Sequence, residues 1–432
     1  DQLPADRTER LAVLGNLLKQ AEDRANEVMI GIVPPRERQI RRIGAVAVLL
    51  ALVVTFTLVF RRVFRTFTPE TLPGTERRAT WGFRKYAWAY VLMVPAALTV
   101  LVWQYVPLVQ GAAMAFFDYR LIGHSVWVGV DNFGDLLFDS YWWNAVWNSV
   151  RYSVLVIALT FLPPIVLAIL LQEVPRGRLL FRLIYYLPAV VTGLVTVLLW
   201  KQFYEPSERG ALNAVMLRIP AVGFLVAGLF LLLLAFAFAR RLWNNDMPLV
   251  AWAFVLVGVM LLVTVAGLAK PMLLLPGETM AESLSRVPGR LFDHLPEPFR
   301  WLSNPDTAML SCVIPMVWAG MGPGCLIYLA ALKGIADDYY EAADIDGATF
   351  IDKILFIVFP ILKPLLIINF VGAFIHSWYG AEGNILVMTG GSANTEVAGL
   401  HIWFKAFTFL QFGPATAMAW MLGFMLIGFT VH

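Results

Sequence analysis

The sequence predicts an all-α protein, a polytopic transmembrane helix bundle of about nine spans, and three observations carry that prediction. Hydrophobic residues make up 59% of the 432 positions and charged residues only 15%, with a mean hydropathy of +0.70. These values lie far from the average soluble domain. The apolar residues are clustered into nine uncharged runs of 18 residues or more, which is enough for a helix to cross roughly 30 Å of hydrocarbon. Gly and Pro recur inside the runs; both would damage a soluble helix, whereas in a bundle neighbouring helices satisfy the freed backbone groups.

Residues 1–42 are polar. Asp6-x-x-Glu9 has the form of a capping box, opening a helix over 8–30 with Leu11, Leu14, Leu18, Ala21, Ala25 and Val28 along one side and Pro34-Pro35 beyond its end. That stripe needs a packing partner. Residues 1–42 are expected to be an extracytoplasmic segment, either a surface tail or the end of a larger domain, and the start at Asp1 and the stop at His432 directly after an apolar run have the look of a fragment's limits. Residues 43–60 form the first span, an addition to the bundle proper, and 61–85 a basic loop. The remaining runs are 86–109, 152–171, 183–200, 219–239, 247–269, 307–332, 364–381 and 412–431.

Topology follows from Lys and Arg in short loops. Loops 61–85, 172–182 and 240–246 carry twelve Lys/Arg against four Asp/Glu and fall on one side if the spans alternate. That side is expected to be the cytoplasm, with the N-terminus outside and the C-terminus inside. Arg36, Arg38, Arg41 and Arg42 oppose this, since they flank the first span on the outer side. A long N-terminal segment exported by its own signal would tolerate them.

The net charge of +3 and the absence of a basic patch interleaved with aromatics argue against a nucleic-acid partner. Cys312 and Cys325, thirteen residues apart on one span, cannot meet along a single helix, so neither a disulfide framework nor a metal site is expected.

Between the seventh and eighth spans the chain reads Asp337-Asp338-Tyr339-Tyr340-Glu341-Ala342-Ala343-Asp344-Ile345-Asp346-Gly347. Acidic residues open this stretch as a helix dipole prefers, and Gly347 permits a turn into a second amphipathic piece. Loop 333–363 carries six acidic residues against three Lys on the expected cytoplasmic side, a pattern suited to a basic groove on a soluble partner. Spacing alone favours an ordinary solvated loop.

Resemblance decides between them. Glu341-Ala342-Ala343, three residues, Gly347 and then Phe359-Pro360-Ile361-Leu362 resemble the EAA loop of ABC importer permeases. Around it lie Phe117-Asp118-Tyr119, Val128-Gly129-Val130-Asp131-Asn132-Phe133, Trp147-Asn148-Ser149, Arg176-Gly177-Arg178-Leu179-Leu180-Phe181-Arg182 leading to Leu187-Pro188, Trp301-Leu302-Ser303-Asn304-Pro305 and Thr389-Gly390-Gly391. These occur in the order found in the sugar-transporting, maltose-type branch of that family.

The resemblance implies a permease of the bacterial inner membrane that is not itself an enzyme. Its coupling helix would seat in the cleft of a separate ATPase dimer, with Glu341, Ala342, Ala343, Asp346 and Gly347 forming the coupling element. ATP and Mg²⁺ would reside on that partner; this chain has no Gly-Lys dipeptide and so no phosphate-binding loop of the usual kind. The other implied partners are a second permease subunit, expected to be a different homologous chain, membrane lipid, and an extracytoplasmic solute-binding protein or a binding domain fused upstream.

The family core accounts for residues 86–215 and 307–432, with an outer loop at 271–306. The pair of spans within 216–270 is additional to it. Being hydrophobic on all sides, that pair suits a peripheral, lipid-facing position.

Sugars are held by aromatic faces and by amides and hydroxyls. On a helical wheel Asn369, His376 and Asn384 fall on one face of the eighth span, beside Tyr379, and Trp318 shares a face of the seventh with Ser311 and Gly322. Trp318, Asn369, His376, Tyr379 and Asn384 are therefore the expected substrate path. For each taken singly, interhelical glue or an interfacial belt is an adequate account. An ion-gradient-driven secondary transporter of a polar solute is the alternative; it would want a buried ionisable residue for coupling, and the runs contain no Asp or Glu. Nor do they contain the paired carboxylates or clustered His of a membrane enzyme.

Overall fold

A computed structural model describes residues 13–22, 33–67, 86–173, 178–243, 248–273, 280–295 and 297–431. Within them the chain is helical nearly throughout. The sheet described is one antiparallel hairpin, Phe117–Asp118 with Val126–Trp127, in which Phe117 faces Trp127.

Six helices are long and apolar enough to cross a membrane: Pro35–Arg65, Ala87–Met114, Ser140–Ile169, Ala221–Arg241, Ala308–Leu332 and Phe350–Tyr379. A seventh candidate is broken. Leu180–Val190 and Gly193–Phe203 meet at 94°, where a straight span over 183–200 was expected. Pro188 removes a backbone donor near the end of the first piece, and Thr192 adopts an extended conformation before Gly193 restarts the helix. The runs at 247–269 and 412–431 hold the shorter apolar helices Phe254–Gly267 and Phe412–Gly428. Among the described residues the candidate spans number six, or seven with the broken pair, so the expected count of about nine is not reached there.

Two long helices are carried past a proline by a π turn. Leu101–Tyr105 precedes Pro107 and Ile354–Val358 precedes Pro360, a widening that accommodates the missing donor and the ring. Residues 13–22 are helical and almost wholly exposed; the rest of the predicted 8–30 helix lies outside the described residues. So do 68–85, 174–177 with Arg176-Gly177, 244–247 and 274–279.

The chain divides into two compact units, residues 1–146 with 398–432, and residues 147–397. The first packs Ala45, Ala115, Phe133 and Ala417 into a small core. Here Asn132 donates to the carbonyls of Ala115 and Phe117 at 2.8 and 3.0 Å, and a Cβ on Gly413 would lie 2.2 Å from the Phe117 carbonyl. The second is organised around Ala308–Leu332, which packs on Leu162–Glu173 and Arg178–Val190. A Cβ on Gly322 would fall 2.1 Å from the Tyr185 carbonyl, so glycine sets that helix separation.

The Ala221–Trp243 and Pro248–Gly267 helices pair along their length, with Gly258 against Ala235, Gly228 against Leu262 and Phe238 stacked on Phe254. Small residues let the backbones approach, as at membrane helix interfaces. Phe230, Leu233, Trp252 and Leu256 remain exposed on this pair.

Candidate functional site

The acidic segment folds as the helix Asp337–Ile345, with Asp337 and Asp338 in its first turn. It ends at Asp346, its C-terminal cap, and turns through Gly347 at φ +74°, a left-handed conformation that favours glycine. Thr349 and Asp352 then form a reciprocal capping box that opens the next helix, and Lys353 ties back to Asp344 at 2.5 Å. The Thr-x-x-Asp spacing was available in the sequence and would have located that second start.

Beneath this element, Ile335 is buried and Tyr340 packs on a cluster containing Leu171, Leu329, Leu332, Val358 and Leu362. The acidic helix is therefore rooted on three long helices. Glu341 and Ala342 are exposed and Ala343 is partly so, while Ile345 presents 87% of its surface. An exposed large aliphatic side chain beside carboxylates is what a docking face requires.

The five expected path residues do not form one group. Trp318 meets the edge of Trp200 at 6.2 Å, and Asn369 is half-buried. His376 and Tyr379 are exposed, and the His376 imidazole lies over Gly380, where a Cβ would approach it to 3.0 Å. Asn384 departs from the wheel argument. The helix ends at Tyr379 and a new one, Ala381–Met388, begins after Gly380, so the 100° per residue rule does not run through. Its amide is buried and donates to the Tyr152 hydroxyl at 3.1 Å and the Cys312 carbonyl at 2.6 Å, the role of interhelical glue.

Glu382 was missed because it lies one residue past an apolar run. Its carboxyl is pushed above the usual range by burial, which outweighs the opposing hydrogen bond from its own backbone N–H. Among the described residues its Oε2 is buried without a hydrogen-bond partner.

Sequence reasoning also missed a set of buried polar braces. Asn148 donates to Asn394 at 3.2 Å and to the Glu396 carbonyl at 3.0 Å. Asn213 binds the Glu205 and Phe299 carbonyls through its amide nitrogen and accepts from Trp301 Nε1 at 3.2 Å. In the first unit Asp131 accepts from both Arg38 and Arg42, and Arg41 pairs with Glu37 and Asp135. The guanidinium of Arg42, then that of Arg38, hold the Asp131 carboxyl below the ordinary carboxylate range, while burial raises Asp135. Three of the four arginines at the head of the first span are thus neutralised locally.

Residues 245–431 match the binding-protein-dependent transport system inner membrane component family. The chain is similar to the probable ABC transporter permease YesP of Bacillus subtilis, 21% identical over 77% of this chain and 84% of the relative. It is also similar to the trehalose/maltose transport system permease MalF of Thermococcus litoralis, 22% identical over 81% of this chain and 93% of the relative. Among solved structures it shares a fold with a bacterial ABC transporter involved in import of the acidic polysaccharide alginate. The TM-score there is 0.56 at 19% identity, covering 81% of this chain and 94% of that one. The relatives named are ABC-transporter permeases, and among the described residues this chain has several helices long and apolar enough to cross a membrane.

Proposed function

We propose that this permease forms the translocation path for a sugar delivered by an extracytoplasmic solute-binding protein, and that a separate ATPase dimer drives it through the Asp337–Ile345 helix. The observation that carries the proposal is the shape of that helix: acidic, exposed and capped by Gly347, yet rooted through Ile335 and Tyr340 on three long helices. A force applied at Glu341 would therefore reach Ala308–Leu332, Leu162–Glu173 and Phe359–Tyr379 together. Nucleotide and Mg²⁺ act on the partner; the work here is mechanical. Ala342 and Ala343 give the helix a slim face for a cleft, and Asp346 and Gly347 end it.

A second permease, a different homologous chain, completes the path. Trp318, Asn369, His376 and Tyr379 are its proposed lining, with Asn384 holding helices in register beside it. Sugar as the solute is supported by the named substrates of relatives such as MalF. An N-terminus outside and a C-terminus inside fit the basic loops, and the neutralised arginines at 38–42 remove the main objection to that orientation. The proposed setting is a bacterial inner membrane, with 1–42 extracytoplasmic and the pair within 216–270 facing lipid.

The test is Glu341→Lys in the purified assembly. ATPase association should fall at least tenfold, since a charge-assisted contact becomes a repulsion, while membrane insertion stays intact. Unchanged transport in that variant, or active ion-coupled transport by the chain without any ATPase, would sink the proposal.

A further inference from the structure

A cavity of about 640 Å³ opens in the second unit at the end of Gly193–Phe203, between residues 300–303 and the turn after Met388. Its size lies within the range of small-ligand sites, roughly 300–1,000 Å³. Lys201 and Arg300 bring cations to its wall, Tyr204 and Trp301 aromatic rings, and Thr389 and Ser392 hydroxyls. Two of the motifs noted in the sequence, around Trp301 and Thr389, converge here without a role in coupling.

The walls are braced from behind. Trp301 is held by the fully buried Asn213. The 389–394 turn is fastened by the fully buried Asn148 to Asn394, and Thr389 pairs with the buried Thr395 at 2.6 Å. That turn runs through left-handed conformations at Gly390 and Gly391 and also at Ala393 and Asn394, φ 52° and 54°. Alanine in that region costs energy, and such strain persists only where the surroundings enforce it, commonly at ligand sites.

The charges are unbalanced. Among the described residues neither Lys201 nor Arg300 forms an ion pair; Lys201 donates to the Val387 carbonyl at 2.8 Å. The one carboxylate in the wall, Glu205, accepts from Gln202 at 2.9 Å. A neutral sugar would leave two cations facing a single wall carboxylate, whereas a planar ligand carboxylate balances the charge and matches a guanidinium fork.

We infer that this cavity is an entry subsite for the uronate residue of an acidic saccharide, Arg300 and Lys201 pairing its carboxylate, Trp301, backed by the buried Tyr204 ring, offering ring surface, and Thr389 and Ser392 meeting its hydroxyls. This rests on the importer reading, in which the cavity faces the extracytoplasmic side.

The experiment is binding of digalacturonate and of the corresponding neutral galactose disaccharide to the full importer complex in nanodiscs, by calorimetry, with binding-protein-stimulated ATP hydrolysis as a second readout. The acidic sugar should bind at least tenfold more tightly, as one charge-assisted contact allows, about tenfold or more. The preference should shrink with salt and be lost in Arg300→Gln and in Lys201→Gln. Arg209→Gln, outside the cavity, should keep it. Stimulated hydrolysis in the Arg300→Gln complex shows that the variant has assembled. Equal binding of the two sugars, binding of neither, or an unchanged preference in Arg300→Gln overturns the inference while leaving the importer reading intact. Loss of binding-protein stimulation with the sugar preference retained would make the cavity a protein-docking site and also overturns it. An assembly without an associated ATPase would instead defeat the importer reading.

Discussion

Replacing Asp131 by Asn tests the arginine clamp at the head of the first span. Asp131 is 8% exposed, whereas the side chains of Arg38 and Arg42 are 54% and 50% exposed. Arg38 donates through Nε at 3.1 Å and Nη2 at 2.6 Å, and Arg42 through Nη2 at 2.9 Å and a shorter Nε contact. A hydrogen bond to a charged group contributes roughly 1.5–3 kcal/mol net. Water can resolvate the half-exposed guanidiniums once the carboxylate is gone, which pulls the loss down the range. Asn also retains the shape and one acceptor. The expected cost is about 2 kcal/mol, close to a thirtyfold change in the folding equilibrium. Thermal unfolding of the complex in nanodiscs, followed by tryptophan emission, should give a lower midpoint for Asp131→Asn.

The pH dependence has a definite sign. The folded-state pKa of Asp131 is depressed, so its stabilisation is fully present above the unfolded value of about 3.9 and is lost as pH falls through the lower folded value. The gap between wild type and variant should therefore be flat from pH 8 to pH 5 and close only in stronger acid. An equal midpoint at pH 7, or a gap that closes between pH 7 and 6, would refute the clamp.

Gly322→Ala puts a Cβ 2.1 Å from the Tyr185 carbonyl and 3.0 Å from the Tyr186 Cα. Because backbone cannot step aside, overpacking should cost about 3 kcal/mol or more, read as a lower unfolding midpoint than Gly320→Ala, which meets nothing within 4 Å. Gly347→Ala meets open space at φ +74°, so its cost is conformational, about 1–2 kcal/mol; stimulated ATP hydrolysis should fall while assembly persists. Asn384→Ala should destabilise the permease by about 1–3 kcal/mol, whereas Trp318→Ala should lower uptake with an unchanged midpoint. The opposite pattern would exchange their roles.

The helical, membrane-spanning class was legible because hydrocarbon imposes one requirement, a long uncharged run, that needs no knowledge of neighbours. The acidic helix and the turn at Gly347 were legible for a similarly local reason. The path was less so. A helical wheel assumes an unbroken helix, and the chain breaks at Gly380 between His376 and Asn384. The 94° bend after Val190 escaped notice because Pro188 inside an apolar run is compatible with either a kinked span or a broken one.

What the sequence determined by itself was what is local: apolar runs, helix starts and stops, charge bias, and an acidic helix whose acidic face and closing glycine are contiguous. Tertiary structure decided what depends on partners far along the chain. Asp131 meets arginines some ninety positions away, Asn213 braces Trp301 across 88, and Asn148 reaches Asn394 across 246. Nothing in the sequence marks these residues as partners of one another. Each takes its role because a buried polar group must find a partner wherever the packed helices bring one.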